Sequence, residues 1–191
     1  MRLAALLFAL CLSLAARAGG NETVGLLELY NYYEYSDRLL SAGQPTREQF
    51  AAIRAAGVEA IINLAPVTDP GALADEGELV RGLGMDYRHI PVDWDHPPQS
   101  DLETFMAAMA QFRGRRVLVH CYAGSRASAF VYLYRVLELH ASRAEARATL
   151  ERIWANNPGY ELPKVAQWEA LLATALADHE PAAKNHDGRA R

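Results

Sequence analysis

The sequence predicts one α/β domain in three layers, a central, mostly parallel sheet flanked by helices. Three observations carry that reading. From Leu39 onward, short apolar runs alternate with helical patterns. Two of those runs, residues 58–64 and 117–120, lack the polar alternation of a half-exposed strand and so suit strands covered on both faces. The third is size. A chain of 191 residues that is 51% hydrophobic can bury one full core but has little room for two.

The elements follow in order. Tyr30-Asn31-Tyr32-Tyr33-Glu34-Tyr35 is expected to be an amphipathic segment packing over the sheet, with a substrate entrance as its alternative role. Thr46-Arg47-Glu48-Gln49 is a capping box opening a helix through Ala56, which Gly57 ends. Residues 58–64 form a strand, with Ile61 and Ile62 side by side. A helix is expected over 72–83, stopped by Gly84, then a strand over 87–92 and an acidic, proline-rich loop over 93–99. Ser100-Asp101-Leu102-Glu103 is a second capping box, starting a helix towards Phe112. After the turn at Arg113-Gly114-Arg115, residues 117–120 form a strand. Three helices complete the domain, over 129–139, from the Ser142 cap to 155, and over 164–177.

The two ends of the chain read differently. Arg2 precedes an apolar run over 3–16, and Ala16-Arg17-Ala18 offers small residues where a signal peptidase reads. The run falls short of the roughly 20 residues of a membrane span. Residues 1–18 are therefore expected to be a signal peptide, 19–178 the domain and 179–191 a disordered tail. Export would place the mature chain in the periplasm or outside the cell, with no stable membrane association. Losing Arg2 and Arg17 leaves 17 basic residues against 23 acidic, so the net charge moves from −4 to −6. With no basic run, the chain is a poor partner for nucleic acid. Oligomeric state is not readable. Cleavage after Ala18 also removes Cys11, leaving Cys121 as a lone thiol, which is a liability in an oxidising compartment unless the thiol is used.

Cys121 opens the segment Cys121-Tyr122-Ala123-Gly124-Ser125-Arg126-Ala127-Ser128, between a buried strand and a helix. A strand, a tight glycine-containing loop and a helix together hold an anion, because the unpaired N–H groups and the helix dipole point at the same place. The same field stabilises a thiolate on Cys121. Arg126 can fork two donors onto a bound phosphoryl group, and the amides of Tyr122, Ala123, Gly124 and Ser125 would bind its oxygens. Attack by the cysteine would form a thiophosphate intermediate.

Val119-His120-Cys121, Gly124, Arg126 and Ser128 together resemble the signature loop of protein tyrosine and dual-specificity phosphatases. Asp37-Arg38, Ser41-Ala42-Gly43-Gln44-Pro45-Thr46, Gly57-Val58, Ile61-Ile62-Asn63-Leu64 and the helix after the loop resemble a bacterial branch, the beta-lactamase-hydrolase-like phosphatases, over residues 30–172. The resemblance implies a phosphatase-like three-layer fold and a cysteine-dependent phosphate monoester hydrolase acting on a phosphorylated protein or small phosphomonoester, with no metal or cofactor. Cys121 would be the nucleophile and Arg126 the phosphate clamp. His120 would order the loop, and Ser128 would support the thiolate and breakdown of the intermediate.

Such enzymes add a general acid on a loop some thirty residues before the cysteine. Asp93 and Asp95 lie 28 and 26 residues before Cys121, with Asp95 preferred because Asp93 directly follows the strand. Trp94 between them could stack on an aryl substrate or pack the loop. The wider pattern separates cysteine and arginine by five residues. Here four intervene and Ala127 holds the usual arginine position, a spacing the bacterial branch shares. A loop this short also occurs in rhodanese-like sulfurtransferases, so a persulfide on Cys121 is one alternative. A non-catalytic phospho-ligand-binding module is another.

Overall fold

A computed structural model describes residues 25–179. The expected signal peptide over 1–18 and the tail beyond His179 lie outside the described residues. The sheet has five strands: β1 (Tyr33–Ser36), β2 (Leu39–Ala42), β3 (Ala60–Asn63), β4 (Asp86–His89) and β5 (Val117–His120). Their spatial order is β1-β2-β5-β3-β4, with β1 antiparallel to β2 and every other pair parallel. The central, mostly parallel sheet is thus as expected, and β5 occupies its middle. The tyrosine cluster departs from expectation. Tyr33 and Tyr35 belong to the edge strand β1 rather than to a segment lying over the sheet, because Asp37 and Arg38 turn the chain into a hairpin with β2.

The helices are α1 (Gln49–Ala55), α2 (Glu76–Gly82), α3 (Gln99–Gln111), α4 (Ser125–Leu137), α5 (Arg143–Ala155) and α6 (Ala166–Asp178), with a 3-10 turn at Leu162–Lys164. Strand alternation sorts the core into two layers. Leu40, Ile61 and Leu118 face Phe50, Ile53 and Val80 of α1 and α2. Leu39, Ile62, Val117 and Val119 face Phe105, Phe130, Leu150, Trp154 and Trp168 of α3 to α6. All four residues of β5 are buried, which is why its sequence is a continuous apolar run up to His120.

Cap chemistry explains the differences at helix ends. Gln49 reaches back to the Thr46 N–H at 2.9 Å, half of the expected capping box, and α1 starts at Gln49 itself. Around Ser100 no side-chain cap forms, since the extended Pro98 precedes a helix that already includes Ser100. Turns over 66–74 delay α2 to Glu76. Ser142 caps α5 through the Glu145 N–H. Most consequential, α4 begins at Ser125 instead of 129, so Arg126 belongs to the helix and not to the loop before it.

Candidate active site

Cys121 follows the last residue of β5, at the C-terminal edge of the sheet where parallel α/β folds place ligands. Gly124 turns the chain into α4 with φ 84°, a left-handed conformation that costs glycine nothing. That turn aims the Gly124 N–H at the Cys121 Sγ, 3.2 Å away. The first bond of α4 runs from the Ser128 N–H to the Gly124 carbonyl. The N–H groups of Ser125, Arg126 and Ala127 therefore have no carbonyl of the preceding turn to bind. The buried Cys121 thiol thus faces a helix N-terminus, where the unpaired N–H groups gather partial positive charge.

The spacing of Arg126 has a packing reason. Ala127, in the position where the wider pattern has arginine, is fully buried in the core between the sheet and α3 to α6, where an arginine would have no room. One residue earlier the side chain emerges over the cavity. Arg126 donates through Nη1 to the Val92 carbonyl at 3.0 Å and through Nη2 to Asp69 Oδ2, and its guanidinium carbon lies 5.9 Å from the Trp94 ring centre.

Two sets of contacts buttress the loop. On the outer side, Asn31 Nδ2 donates to the carbonyls of Ala123 and Ile153, both at 3.0 Å. Asn157 Nδ2 reaches Ser125 Oγ at 3.0 Å, and Tyr30 donates to Asn157 Oδ1 at 3.0 Å. On the inner side, the Cys121 N–H approaches the Ala42 carbonyl at 3.4 Å, and the Gln44 N–H binds the Tyr122 carbonyl at 2.9 Å. Gly43 lies so close that a Cβ there would come within 2.9 Å of the Tyr122 carbonyl oxygen. The Gly43-Gln44-Pro45 segment is thus a second wall of the cysteine loop.

Behind that wall lies a buried carboxylate. Glu76, 1% exposed, accepts from Gln44 Nε2 at 2.6 Å and from Asn63 Nδ2 at 2.8 Å, and its Oε1 is 3.0 Å from His120 Nε2. Burial works to raise the Glu76 pKa. Hydrogen bonds from His120, Gln44 and Tyr87 and the attraction of His120 outweigh it, so the carboxyl is held below its usual range. His120, fully buried, is thereby fastened to α2, β3 and the Gly43-Gln44-Pro45 segment through one side chain.

The cavity at the loop has a volume of about 980 Å³. Of the residues expected at the site, Cys121, Tyr122, Ala123, Ser125 and Arg126 line it. Gly124 contributes its N–H to Sγ from beneath. Ser128 is buried, and its hydroxyl donates to the Ser125 carbonyl at 2.9 Å rather than to the thiol. Asp93 and Asp95 do not line the cavity. Asp93 Oδ1 accepts from the Asp95 and His96 N–H groups and shapes its own loop, while Asp95 is exposed and its carboxylate makes no hydrogen bond among the described residues. Trp94 lines the cavity and also packs, stacking on Trp154 at 5.7 Å, with its carbonyl accepting from Trp168 Nε1 at 3.0 Å.

Sequence reasoning missed Asp69 and Glu76. Asp69-Pro70-Gly71 reads only as a turn, and Glu76 reads as one more charge on a helix surface. Nothing in the local pattern marks either as facing the cysteine loop. Gln44 lay within the motif, but its side chain had no assigned role.

A thiol at the end of the central parallel strand, a helix start with free N–H groups and an arginine over the same cavity make a phosphatase-like arrangement, and the comparisons give a phosphatase family. The chain belongs to the family described as DSP-PTPase phosphatase fused to NAD+ kinase, whose model matches residues 29–163. A beta-lactamase hydrolase-like protein of Xylella fastidiosa is 30% identical over 139 residues, 71% of this chain and 31% of that protein. The chain thus spans about a third of the length of that curated relative. Among solved structures, a candidate phosphatase (DUF442) from Shewanella putrefaciens CN-32 is 40% identical, with 83% of this chain and 96% of that chain covered and a TM-score of 0.72. A P. aeruginosa TpbA variant in complex with pTyr is 16% identical, with coverage of 80% and 92% and a TM-score of 0.58. That likeness shows the fold alone.

Proposed function

We propose that this chain hydrolyses phosphate monoesters through a cysteinyl-phosphate on Cys121. The observation that carries the reading is the Gly124 N–H directed at Sγ from the turn into α4, with Arg126 in the first turn of that helix and over the same cavity. The Cys121 thiolate attacks phosphorus, the ester P–O bond breaks, and the leaving oxygen takes a proton from Asp95 on the loop after β4. Water then attacks phosphorus, the S–P bond breaks, and Asp95 accepts the proton that water loses. The products are an alcohol and inorganic phosphate. The first-turn amides of α4 and Arg126 hold the equatorial oxygens throughout. Asp93 serves as the acceptor that shapes the Asp95 loop. His120, through Glu76, keeps the loop in register, and Ser128 acts through the Ser125 carbonyl.

The substrate is a phosphomonoester on a protein or a small molecule. Tyr30, Tyr122 and Tyr160 stand at the cavity with roughly half of their surface exposed, and with Trp94 they offer ring faces to an aryl ester. Arg2, the apolar run over 3–16 and Ala16-Arg17-Ala18 support export to the periplasm. A native protein still starting at Met1 in the membrane fraction would refute it.

The test is turnover of para-nitrophenyl phosphate by the chain under reducing conditions, beside Cys121→Ser. The expected result is phosphate release that vanadate blocks and Cys121→Ser abolishes. A wild type that releases no phosphate, but forms thiocyanate from thiosulfate and cyanide, would replace the proposal with the persulfide chemistry that the short Cys121–Arg126 spacing also suits.

A further inference from the structure

One edge of the Arg126 guanidinium is only half used. Nη1 is held by the Val92 carbonyl, Nη2 by Asp69 Oδ2, and Nε is buried without a hydrogen-bond partner. Nε and Nη2 form the edge that forks onto two oxygens of one anion. One tine of that fork is occupied by a carboxylate from the same chain and the other has no hydrogen-bond partner. An unpaired buried donor is costly, so the arrangement favours an anion that satisfies both tines. A dianionic phosphoryl group and an ionised Asp69 on the same guanidinium would repel one another at close range.

Asp69 is placed so that it can yield. Its backbone belongs to the turns between β3 and α2, with its N–H on the Pro66 carbonyl at 3.0 Å and its carbonyl accepting from Ala72 at 3.1 Å. No sheet bond depends on it. Its side chain is 21% exposed against 5% for Arg126, so a rotation of the carboxylate moves it into water while the arginine stays.

We infer that Asp69 is a displaceable counter-ligand of Arg126. It holds the guanidinium in position when the cavity is empty and surrenders Nη2 to an entering oxyanion, and so it sets how tightly the site holds phosphoryl groups. The inference rests on Arg126 being the phosphate clamp of the proposed function. The consequence is weak retention of inorganic phosphate, the product, in exchange for weaker capture of substrate.

Tungstate, a tetrahedral dianion, tests this by calorimetric titration of the full chain, its Asp69→Asn and Asp69→Ala variants, and Glu103→Gln. The last removes one charge from the exposed side of α3 and serves as the net-charge control. Both Asp69 variants are expected to bind tungstate about tenfold more tightly, the scale of one charge-assisted hydrogen bond freed from competition. The KM for nitrophenyl phosphate should fall in step, and Glu103→Gln should bind like the wild type. Unchanged or weaker tungstate binding in both folded variants overturns the inference, as does equal tightening in Glu103→Gln. Unchanged binding with turnover lost only on poor leaving groups would make Asp69 the proton donor instead. A wild type and variants that all fail to bind tungstate would overturn the phosphate-clamp reading itself, and this inference with it.

Discussion

Two connections leave neighbouring parallel strands on the same edge of the sheet, and they are fastened by opposite means. The connection from β3 to α2 is wired by polar groups. It brings Asp69 to Arg126 and ends at Glu76, whose buried carboxylate gathers His120, Gln44 and Asn63. The connection from β4 to α3 is anchored by apolar surface. Trp94 stacks on Trp154, lies 5.4 Å from Trp168 and meets Tyr160 edge-on, while the carboxylates on either side of it point to water. A polar anchor positions charge at the reacting loop. An aromatic anchor holds a loop in place and leaves the Asp95 carboxylate exposed, while Asp93 is engaged within the loop. The proposed reaction uses both, because in it the thiol is held still whereas a proton donor reaches a leaving group only when one is present.

The largest effect should come from cutting the polar anchor. Glu76→Ala leaves His120 and the Gln44 and Asn63 amides facing a buried gap, and is expected to cost about 4 kcal/mol of stability by denaturant titration. Glu76→Gln is the milder cut and tests the charge. The folded carboxyl lies below its unfolded value, so its contribution is present above the unfolded pKa of about 4.3 and is lost as pH falls through the lower folded one. Acid unfolding below about pH 4.5 should therefore be shallower in Glu76→Gln than in the wild type. A variant with the same acid limb would show that the carboxylate is not stabilising.

Next in size is Arg126→Lys, which keeps the charge but loses the fork. We expect kcat/KM for nitrophenyl phosphate to fall about 200-fold, roughly 3 kcal/mol. A fall under threefold would show that a point charge is enough. In the aromatically anchored loop, Asp95→Asn should reduce turnover of poor leaving groups about a hundredfold and spare nitrophenyl phosphate. Asp93→Asn should instead weaken both modestly by loosening the loop. If Asp93→Asn alone produces the leaving-group effect, the roles of the two acids are reversed. The smallest effect is expected from Trp94→Ala, about 2 kcal/mol of stability by thermal melting, since the ring is only partly buried. A loss in kcat alone, with the melt unchanged, would mean that Trp94 acts on the substrate and not on its loop.

Much of this was legible in the residues. The unbroken apolar run of β5, ending at His120 and followed by Cys121, Gly124 and Arg126, sufficed for a buried strand with a glycine turn into a helix at its end, because burial on both faces leaves no alternation and a left-handed turn needs glycine. The edge strand β1 was less legible. Its pattern of half-buried tyrosines at alternate positions suits a strand edge as well as an amphipathic cover, and only pairing with β2 chose between them. The start of α4 lies four residues before the expected one, and tertiary contact is part of the reason: the Ser125 hydroxyl is met by Asn157, 32 residues on, while Ser128 is satisfied within the helix by the Ser125 carbonyl.

By itself, then, the sequence determined the order of strands and helices from residue 46 onward, the layer architecture and the position of the cysteine loop between a buried strand and a helix, since those depend on local periodicity, turn chemistry and contiguous residues. Tertiary structure decided which acids matter to that loop. Asp69 and Glu76 lie 57 and 44 residues from their partners Arg126 and His120. Spacing in the chain carries no information about a carboxylate's neighbours once two parallel strands and a crossover lie between them. Whether an acid is a surface charge or a buried partner is settled only when the sheet brings the ends of β3 and β5 side by side.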